Sequence, residues 1–420
     1  MENQGGGWNL VALPFLLLFY FNGNYGNDVK KNQSIIVLMS LIFILTVSNI
    51  LGWIFENPLS PSVKIQNAFQ FVSYLIVLIL LARTKFTFSF FSSFIKIVAV
   101  INVYAFFVSL NQVFGVLQWT SPIFGADSYY FKVLRPFSLY GDFELYAEYS
   151  LLIFVFSFLL LIANRNDELD VSKKLLSFNL VFAFLNILIS GTRSSLILSL
   201  FIIPIAFLFS LKRNALFHLS FKTLFLIVAL SILTFVIFNQ LKIEETIFDR
   251  MSGLGGTHFT LSNIFSGETI NRDKPYEEGY YRINSHSWYL GYGSGILKSN
   301  LAAWWGTTDF TTVDDLPMFD FHSLYLCIPM IYGWFGSGAF FLIFLFMMVG
   351  LWNVFQNSAY NNSFRAIANS LFALWLFFFL NEFKINYLRG ASYQMLIWIW
   401  LGISYSVIFS KKHFLVTNPE

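Results

Sequence analysis

Apolar runs of about twenty residues recur along this chain from one end to the other. A helix of about 20 apolar residues is long enough to cross the hydrocarbon core of a bilayer. Soluble domains carry about 25% charged residues, whereas this chain has 12% charged and 56% hydrophobic residues. The pattern predicts an all-α, polytopic integral membrane protein.

We predict about eleven transmembrane helices from the lengths of these runs. The predicted spans are Trp8–Phe21, Ser34–Phe55, Ile65–Ala82, Phe94–Leu117, Leu145–Ala163, Leu175–Ser190, Ser194–Leu211, Lys222–Asn239, Trp334–Phe355, Ala366–Phe383 and Gln394–Phe409. The sixth and seventh spans are separated by Gly191, Thr192 and Arg193, which predicts a tight turn between antiparallel neighbours.

Basic residues set the expected orientation, because cytoplasmic loops of membrane proteins are enriched in lysine and arginine. One set of alternating connections holds most of them: Lys30, Lys31, Arg83, Lys85, Arg165, Lys173, Lys174, Lys212, Arg213, Lys222, Arg365, Lys411 and Lys412. This set is predicted to be cytoplasmic. The C-terminus is then inside, and an odd number of spans leaves the N-terminus outside.

One large loop, residues 241–321, falls on the outer, periplasmic side. It holds eleven acidic against six basic residues, which gives a net charge of −5. A loop of this length with many aromatic residues is more typical of a functional segment than of a tether. The expected organisation is an N-terminal bundle (1–240), the loop (241–321) and a C-terminal bundle (322–420), which together form one membrane domain.

Composition excludes several classes of function. The net charge of +3 is too small to indicate a nucleic-acid partner. A single cysteine, Cys327, allows neither a disulfide within the chain nor a cysteine-based metal site. Adjacent Asp314 and Asp315 are weak evidence for a divalent cation, so neither a metal nor a cofactor is expected. Residues 1–7 lack the basic region of a cleavable signal peptide.

Two arginines on the predicted outer side are candidate phosphate ligands. Arg135 precedes the fifth span, and Arg193 lies in the motif Ser190-Gly-Thr-Arg-Ser-Ser195 at the start of the seventh. A guanidinium group can bind phosphate oxygens in a bidentate manner. Small residues around Arg193 could also present backbone amides at a helix start. Either arginine alone could instead pair or extend toward the membrane surface.

Two further motifs lie in or after the large loop. Arg282 begins a segment that leads to Gly291-Tyr-Gly-Ser-Gly295, which lacks the Gly-Lys-Ser/Thr ending of a nucleotide-binding loop. These glycines predict a tight turn where backbones approach closely. His322 precedes Ser-Leu-Tyr-Leu at the end of the loop. It is either a helix cap or a general base that takes a proton from a hydroxyl.

Aromatic residues are dense in the same loop, and they fit either an interfacial belt or stacking against sugar rings. Trp288, Tyr281 and Tyr292 are the candidate sugar-binding residues. An acidic and aromatic loop suits a carbohydrate better than lipid alone.

In these motifs, the chain resembles the bacterial O-antigen polymerase and O-antigen ligase superfamily. The resemblance depends on Ser190–Ser195, on the loop arginine followed by Gly291–Gly295, and on His322–Leu326 ahead of Gly333-Trp-Phe-Gly336. It covers the order of elements over most of the chain.

The resemblance implies a type C glycosyltransferase-like architecture and a metal-independent reaction at the periplasmic face of the inner membrane. The implied substrates are a glycan donor on undecaprenyl pyrophosphate and a lipid-linked acceptor in the bilayer, with a chain-length regulator as a candidate protein partner. It assigns His322 as general base, and Arg193, Arg282 and Arg135 as pyrophosphate ligands. Arg250 also lies in the loop, so which loop arginine binds pyrophosphate stays open.

The sequence leaves three functions open. The first is a polymerase of O-antigen or capsule repeat units, and the second is a ligase that transfers the glycan to a lipid A core. The third, a flippase or transporter, is expected to place charges near the middle of the bilayer and to contain broken helices. The conspicuous arginines cluster instead at one face, which favours chemistry at the membrane surface.

Overall fold

A computed structural model describes most of the apolar part of the chain. The described residues are 33–57, 61–114, 136–140, 142–163, 171–192, 194–202, 289–295, 323–383 and 385–415.

The described residues are almost entirely helical, and Tyr360 and Leu415 form an isolated antiparallel bridge. The helices are α1 (Gln33–Phe55), α2 (Pro61–Arg83), α3 (Phe88–Phe114), α4 (Phe143–Ala163), α5 (Lys173–Ser190), α6 (Leu324–Gln356), α7 (Asn362–Asn381) and α8 (Ala391–Phe409). Six of them, all but α2 and α8, are long and apolar enough to cross a membrane. Helices suit this setting because every backbone polar group finds its partner within the segment.

Each predicted span that falls on described residues overlaps one of these helices or the helical residues 194–202. Residues 194–202 are helical, in agreement with the start of the seventh predicted span. The first and eighth predicted spans, Trp8–Phe21 and Lys222–Asn239, lie outside the described residues, so the total of eleven stays a prediction.

Local sequence signals set several of the helix ends. Pro61 is the first residue of α2, a position that needs no backbone donor. Gly191 ends α5 in the left-handed conformation, with φ 64°, and its N–H donates to Leu188 O. The Asn361 side chain accepts a hydrogen bond from Ser363 N and so caps α7.

Helix α4 lies at the centre of the bundle, and α1 lies at its edge. In the most apolar 18-residue window of each helix, 94% of the residues are buried in α4 but only 33% in α1. Helices α5 and α7 pack against α4, α3 packs against α5, α1 and α7 pack against α6, and α2 packs against α8. Helices from both predicted bundles are therefore in direct contact.

The bundle has two chemically different ends. The end that we call the basic end holds Arg83, Lys85, Lys173, Lys174, Arg365, Lys411 and Lys412. It is joined by hydrogen bonds such as Phe86 N to Ser410 Oγ, at 2.9 Å, and Asn361 N to Phe414 O, at 3.0 Å. The opposite end, the loop end, contains the segment 289–295. The positive-inside rule places the basic end in the cytoplasm, and this sidedness stays a prediction.

Candidate functional site at the loop end

The loop segment 289–295 is fixed in the bundle by four glycines that we call the glycine clamp: Gly52, Gly291, Gly293 and Gly333. A Cβ added to Gly52 would lie 2.4 Å from Gly291 O, and one added to Gly333 would lie 2.4 Å from Tyr289 O. Gly293 has φ 80° and Gly333 has φ 62°, a region that side chains disfavour. The predicted close approach of backbones at Gly291–Gly295 is thus confirmed.

Gly333 breaks α6, and the clamp satisfies the backbone groups that the break releases. Non-helical angles at Gly333 leave the carbonyls of the preceding turn without their usual donors. Met330 O accepts from Tyr292 N at 2.9 Å, and Ile331 O accepts from Gly293 N at 2.8 Å. Tyr332 O accepts from the Ser48 hydroxyl of α1. The loop segment therefore takes the place of the missing helical turn.

Side chains at the end of α1 complete the clamp. Trp53 Nε1 donates to Ser294 O at 2.9 Å, and Asn57 Nδ2 donates to Tyr292 O at 2.7 Å. Asn49 Oδ1 accepts from Ser294 N at 2.7 Å. Each of these buried polar side chains has a hydrogen-bond partner in the loop segment, so these side chains of the clamp are satisfied within the protein.

A second polar group at the loop end lies beside the start of α4, and we call it the acid–tyrosine cluster. Its members are Glu148 of α4, Asn381 and Glu382 at the end of α7, Tyr387, Tyr393 at the start of α8, and Tyr140 and Tyr149. All seven side chains are buried, and both carboxyl groups are completely inaccessible. The rings of Tyr140 and Tyr149 lie 5.1 Å apart, and Tyr393 meets both edge to face.

The cluster leaves many polar atoms without partners. Asn381, Glu382 and Tyr393 surround the Glu148 carboxyl at interaction range, but neither of its oxygens reaches hydrogen-bond geometry. The hydroxyls of Tyr140 and Tyr387 and the Asn381 Oδ1 atom also lack a hydrogen-bond partner. Glu382 is better held, since its two carboxyl oxygens accept from Tyr387 N at 3.1 and 3.2 Å. A buried polar atom without a partner costs about 1–3 kcal/mol.

Ionisation of both carboxyl groups at once is disfavoured, because it would bury two negative charges side by side. Burial, and then the neighbouring charge of Glu148, raise the pKa of the Glu382 carboxyl well above its ordinary value of 4.5. Buried like charges repel strongly, so such a pair holds a shared proton. The cluster is therefore a site where one proton can be held and released.

Chain segments next to three predicted site residues in sequence meet around this cluster. Tyr140, five residues after Arg135, stacks on Tyr146 at 5.8 Å. The Tyr146 hydroxyl donates to Asn186 Oδ1 at 2.7 Å, near the α5 end that precedes Arg193. Leu324 N, two residues after His322, donates to Glu382 O at 3.1 Å.

The described structure contains one of the predicted site residues. Arg135, Arg193, Arg250, Arg282, His322, Trp288 and Tyr281 lie outside the described residues, and their roles stay predictions. Tyr292 is described: its side chain is 8% exposed, and its backbone forms part of the clamp. Of the small residues around Arg193, Ser195 is completely buried.

Sequence reasoning missed Glu148 and Glu382. The available signal was Glu148, an acidic residue inside the predicted span Leu145–Ala163 and one turn after Glu144, since ionisable residues inside membranes are usually functional. The expectation that the conspicuous arginines lie at one face stays a prediction, because Arg135 and Arg193 lie outside the described residues; α4 in addition buries the Glu148 carboxyl in its second turn. Among the described residues, no three His, Cys, Asp or Glu side chains come together as a metal site.

Comparison with known proteins gives no family assignment. No family model matches the chain, and no curated protein is a significant match to its sequence.

Proposed function

We propose that this chain is a membrane glycosyltransferase that joins glycan repeat units carried on undecaprenyl pyrophosphate, at the periplasmic face of a bacterial inner membrane. One observation supports the proposal: segments that adjoin Arg135 and His322 in sequence border the acid–tyrosine cluster, and Tyr146 links Tyr140 of that cluster to Asn186 on the helix before Arg193. Motifs that are distant in sequence and share one end of a bundle are typical of a surface active site.

The chemistry of the proposed reaction needs charge stabilisation and one proton acceptor. The bond between the sugar and pyrophosphate breaks, and the sugar forms a bond to an acceptor hydroxyl. The departing pyrophosphate gathers negative charge, which the arginines would stabilise. The acceptor hydroxyl loses its proton to a base. His322 is the base that the resemblance assigns, and the carboxyl pair offers a second group that can hold a proton.

A deletion strain and its complementation test the proposal. A surface glycan reduced to a single repeat on the lipid core indicates a polymerase, whereas a bare core with accumulated lipid-linked polymer indicates a ligase. An unchanged glycan ladder in the deletion strain would overturn the proposal. Complementation with Arg193→Lys keeps the charge but loses the bidentate geometry, and it should lower activity at least about tenfold at normal protein levels.

A second candidate, a proton-coupled transporter of lipid-linked glycan, is favoured by the carboxyl buried within α4 and by the break in α6. Proteoliposomes loaded with a lipid-linked repeat unit separate the two functions. A glycosyltransferase lengthens the glycan with or without a pH gradient. A transporter moves the unchanged repeat unit and stops when an ionophore removes the gradient.

A further inference from the structure

Three chain segments meet at the basic end of the bundle and carry a group of cations that we call the basic patch. The segments are 83–88 at the end of α2, 356–365 at the start of α7 and 410–415 after α8. None of these three segments contains an acidic residue. The patch consists of Arg83, Lys85, Arg365, Lys411 and Lys412.

A hydrogen bond brings two lysines of the patch close together. Phe86 N donates to Ser410 Oγ at 2.9 Å. Lys85 directly precedes the donor residue, and Lys411 directly follows the acceptor residue. Both lysines are half-buried, so their stems lie against the protein while their ammonium groups extend toward solvent.

An aromatic cluster fixes the same three segments against one another. Phe364 and Phe414 stack with an interplanar angle of 9° and centroids 4.2 Å apart, and Asn361 N donates to Phe414 O at 3.0 Å. Phe86 meets both rings edge to face, with centroids at 5.9 Å. The backbone that carries the cations is therefore preorganised, which lowers the entropic cost of binding an anion.

Arg365 adds a fixed positive charge to the patch. Its Nε donates to Phe355 O at 2.9 Å, and its Nη1 donates to Asn362 Oδ1 at 3.4 Å. Both acceptors are neutral, so these hydrogen bonds hold the guanidinium group without cancelling its charge.

An exposed apolar face of α2 leads along the helix to the patch. Phe69, Ile76 and Arg83 follow one another at intervals of two helical turns and so share one face. Phe69 is 71% exposed, and Val72 and Ile76 on the same side are 45% and 50% exposed. In a bilayer such a face contacts acyl chains, and Arg83 lies at the end of α2, where lipid headgroups begin.

We propose that the basic patch binds the phosphate headgroup of an anionic phospholipid, with an acyl chain along the exposed face of α2. The cations require an anion, and the apolar face requires that this anion carry a hydrocarbon chain. Clusters of lysine and arginine next to transmembrane helices attract anionic lipids. An acidic protein segment would match the cations but would leave the apolar face without a partner.

Native mass spectrometry of the full-length protein in detergent tests the proposal. The probes are phosphatidylglycerol and phosphatidylcholine with identical acyl chains, added at equal concentrations. The protein should retain phosphatidylglycerol preferentially, because the phosphatidylcholine headgroup has no net charge. Equal retention of the two lipids by the wild-type protein would overturn the proposal.

Lysine variants locate the binding at the patch. Lys85→Gln and Lys411→Gln should each weaken retention of phosphatidylglycerol about fivefold and should leave retention of phosphatidylcholine unchanged. Lys85→Arg and Lys411→Arg keep the charge and should retain phosphatidylglycerol as the wild type does. Wild-type retention in both glutamine variants would overturn the assignment to this patch.

Lys174→Gln is the matched control for the charge of the whole basic end. Lys174 is exposed at the start of α5, which packs against α3 and α4. Its replacement should leave retention of phosphatidylglycerol unchanged. A loss as large as that of Lys85→Gln would show that diffuse charge attracts the lipid, and it would overturn a defined site.

A soluble headgroup separates a lipid site from a free phosphate site. Glycerol phosphate has the charge of the lipid headgroup but no acyl chain, so it should displace bound phosphatidylglycerol only at a large molar excess. Displacement at a concentration equal to that of the lipid would overturn the role of the apolar face. None of these outcomes depends on whether the protein transfers or transports a glycan.

Discussion

The glycine clamp and the acid–tyrosine cluster lie at the same end of the bundle, but they differ in whether their buried polar groups have hydrogen-bond partners. In the clamp, Trp53, Asn57 and Asn49 each have a hydrogen-bond partner in the loop segment, and the Met330 and Ile331 carbonyls accept from that segment. In the cluster, neither oxygen of Glu148 reaches hydrogen-bond geometry, and the hydroxyls of Tyr140 and Tyr387 have no partner.

On this difference we base the proposal that the clamp has a structural role and the cluster a functional one. A satisfied polar network specifies one arrangement and resists change. An unsatisfied one lowers stability, and such groups are candidates for binding or proton transfer. The clamp therefore fixes the segment 289–295 in the bundle, and we propose the cluster as the part that takes part in chemistry.

The largest expected effect is the loss of the clamp. Gly333→Ala forces a Cβ to within 2.4 Å of Tyr289 O at a residue with φ 62°. Strain and overpacking together should lower the free energy of unfolding by about 2–6 kcal/mol, measured as a drop in the thermal midpoint.

Gly338→Ala is the matched control in the same helix. No atom lies within 4 Å of the added Cβ, so alanine should raise stability by up to about 1 kcal/mol through helix propensity. Equal midpoints for the Gly333 and Gly338 variants would show that the clamp is not under steric constraint.

Replacing a buried polar side chain by an apolar one should have opposite signs in the two regions. Glu148→Met removes an unsatisfied carboxyl and should stabilise the protein by about 1–3 kcal/mol. Asn49→Leu leaves Ser294 N without its acceptor and should destabilise it by about 1–3 kcal/mol. Changes of the same sign in the two thermal midpoints would remove the distinction between the regions.

Stability should also depend on pH through the cluster. The pKa of the Glu382 carboxyl in the folded state is raised above its ordinary value of 4.5. At a pH between 4.5 and the folded-state pKa, the folded state therefore binds more protons than the unfolded state. Stability is therefore greatest at the acidic side of this window and falls as pH rises through the folded pKa, by at most about 1.4 kcal/mol per pH unit for one proton. Glu382→Gln should flatten the profile of thermal midpoint against pH. Parallel profiles for wild type and Glu382→Gln would contradict this account of the carboxyl pair.

The smallest expected effect is local opening of the clamp. Asn57→Ala removes the hydrogen bond to Tyr292 O and should cost about 1 kcal/mol, which corresponds to roughly fivefold faster hydrogen exchange at the Tyr292 and Gly293 amides. The Leu324 amide, which donates to Glu382 O, is the internal reference and should exchange at its wild-type rate.

Apolar run length predicted the helices well, because the bilayer requires each span to satisfy its own backbone. The positions of α1, α4 and α5 agree with the predicted spans to within two residues at each end. Helix α6 begins at Leu324, ten residues before the predicted start at Trp334. The predicted start, Trp334, directly follows the break at Gly333, where helical geometry resumes.

Glycine spacing predicted the tight approach at Gly291–Gly295, but not what approaches it. The partners, Gly52 and Gly333, come from distant parts of the chain, and only tertiary packing brings them together. The same limit explains the missed carboxyl pair. Glu148 lies on α4, and Glu382 directly follows α7. A single acidic residue within an apolar run does not indicate which distant residue packs against it.

The central claim is that the acid–tyrosine cluster serves the reaction and does not merely support the fold. The direct test is the surface glycan ladder of a deletion strain complemented with Glu148→Gln, compared at equal membrane levels and thermal midpoints with wild type. Glutamine keeps the size of the side chain but cannot hold or release the proton, so polymer should fall about a hundredfold or more. A wild-type ladder from Glu148→Gln would contradict the claim and reduce the cluster to a structural feature.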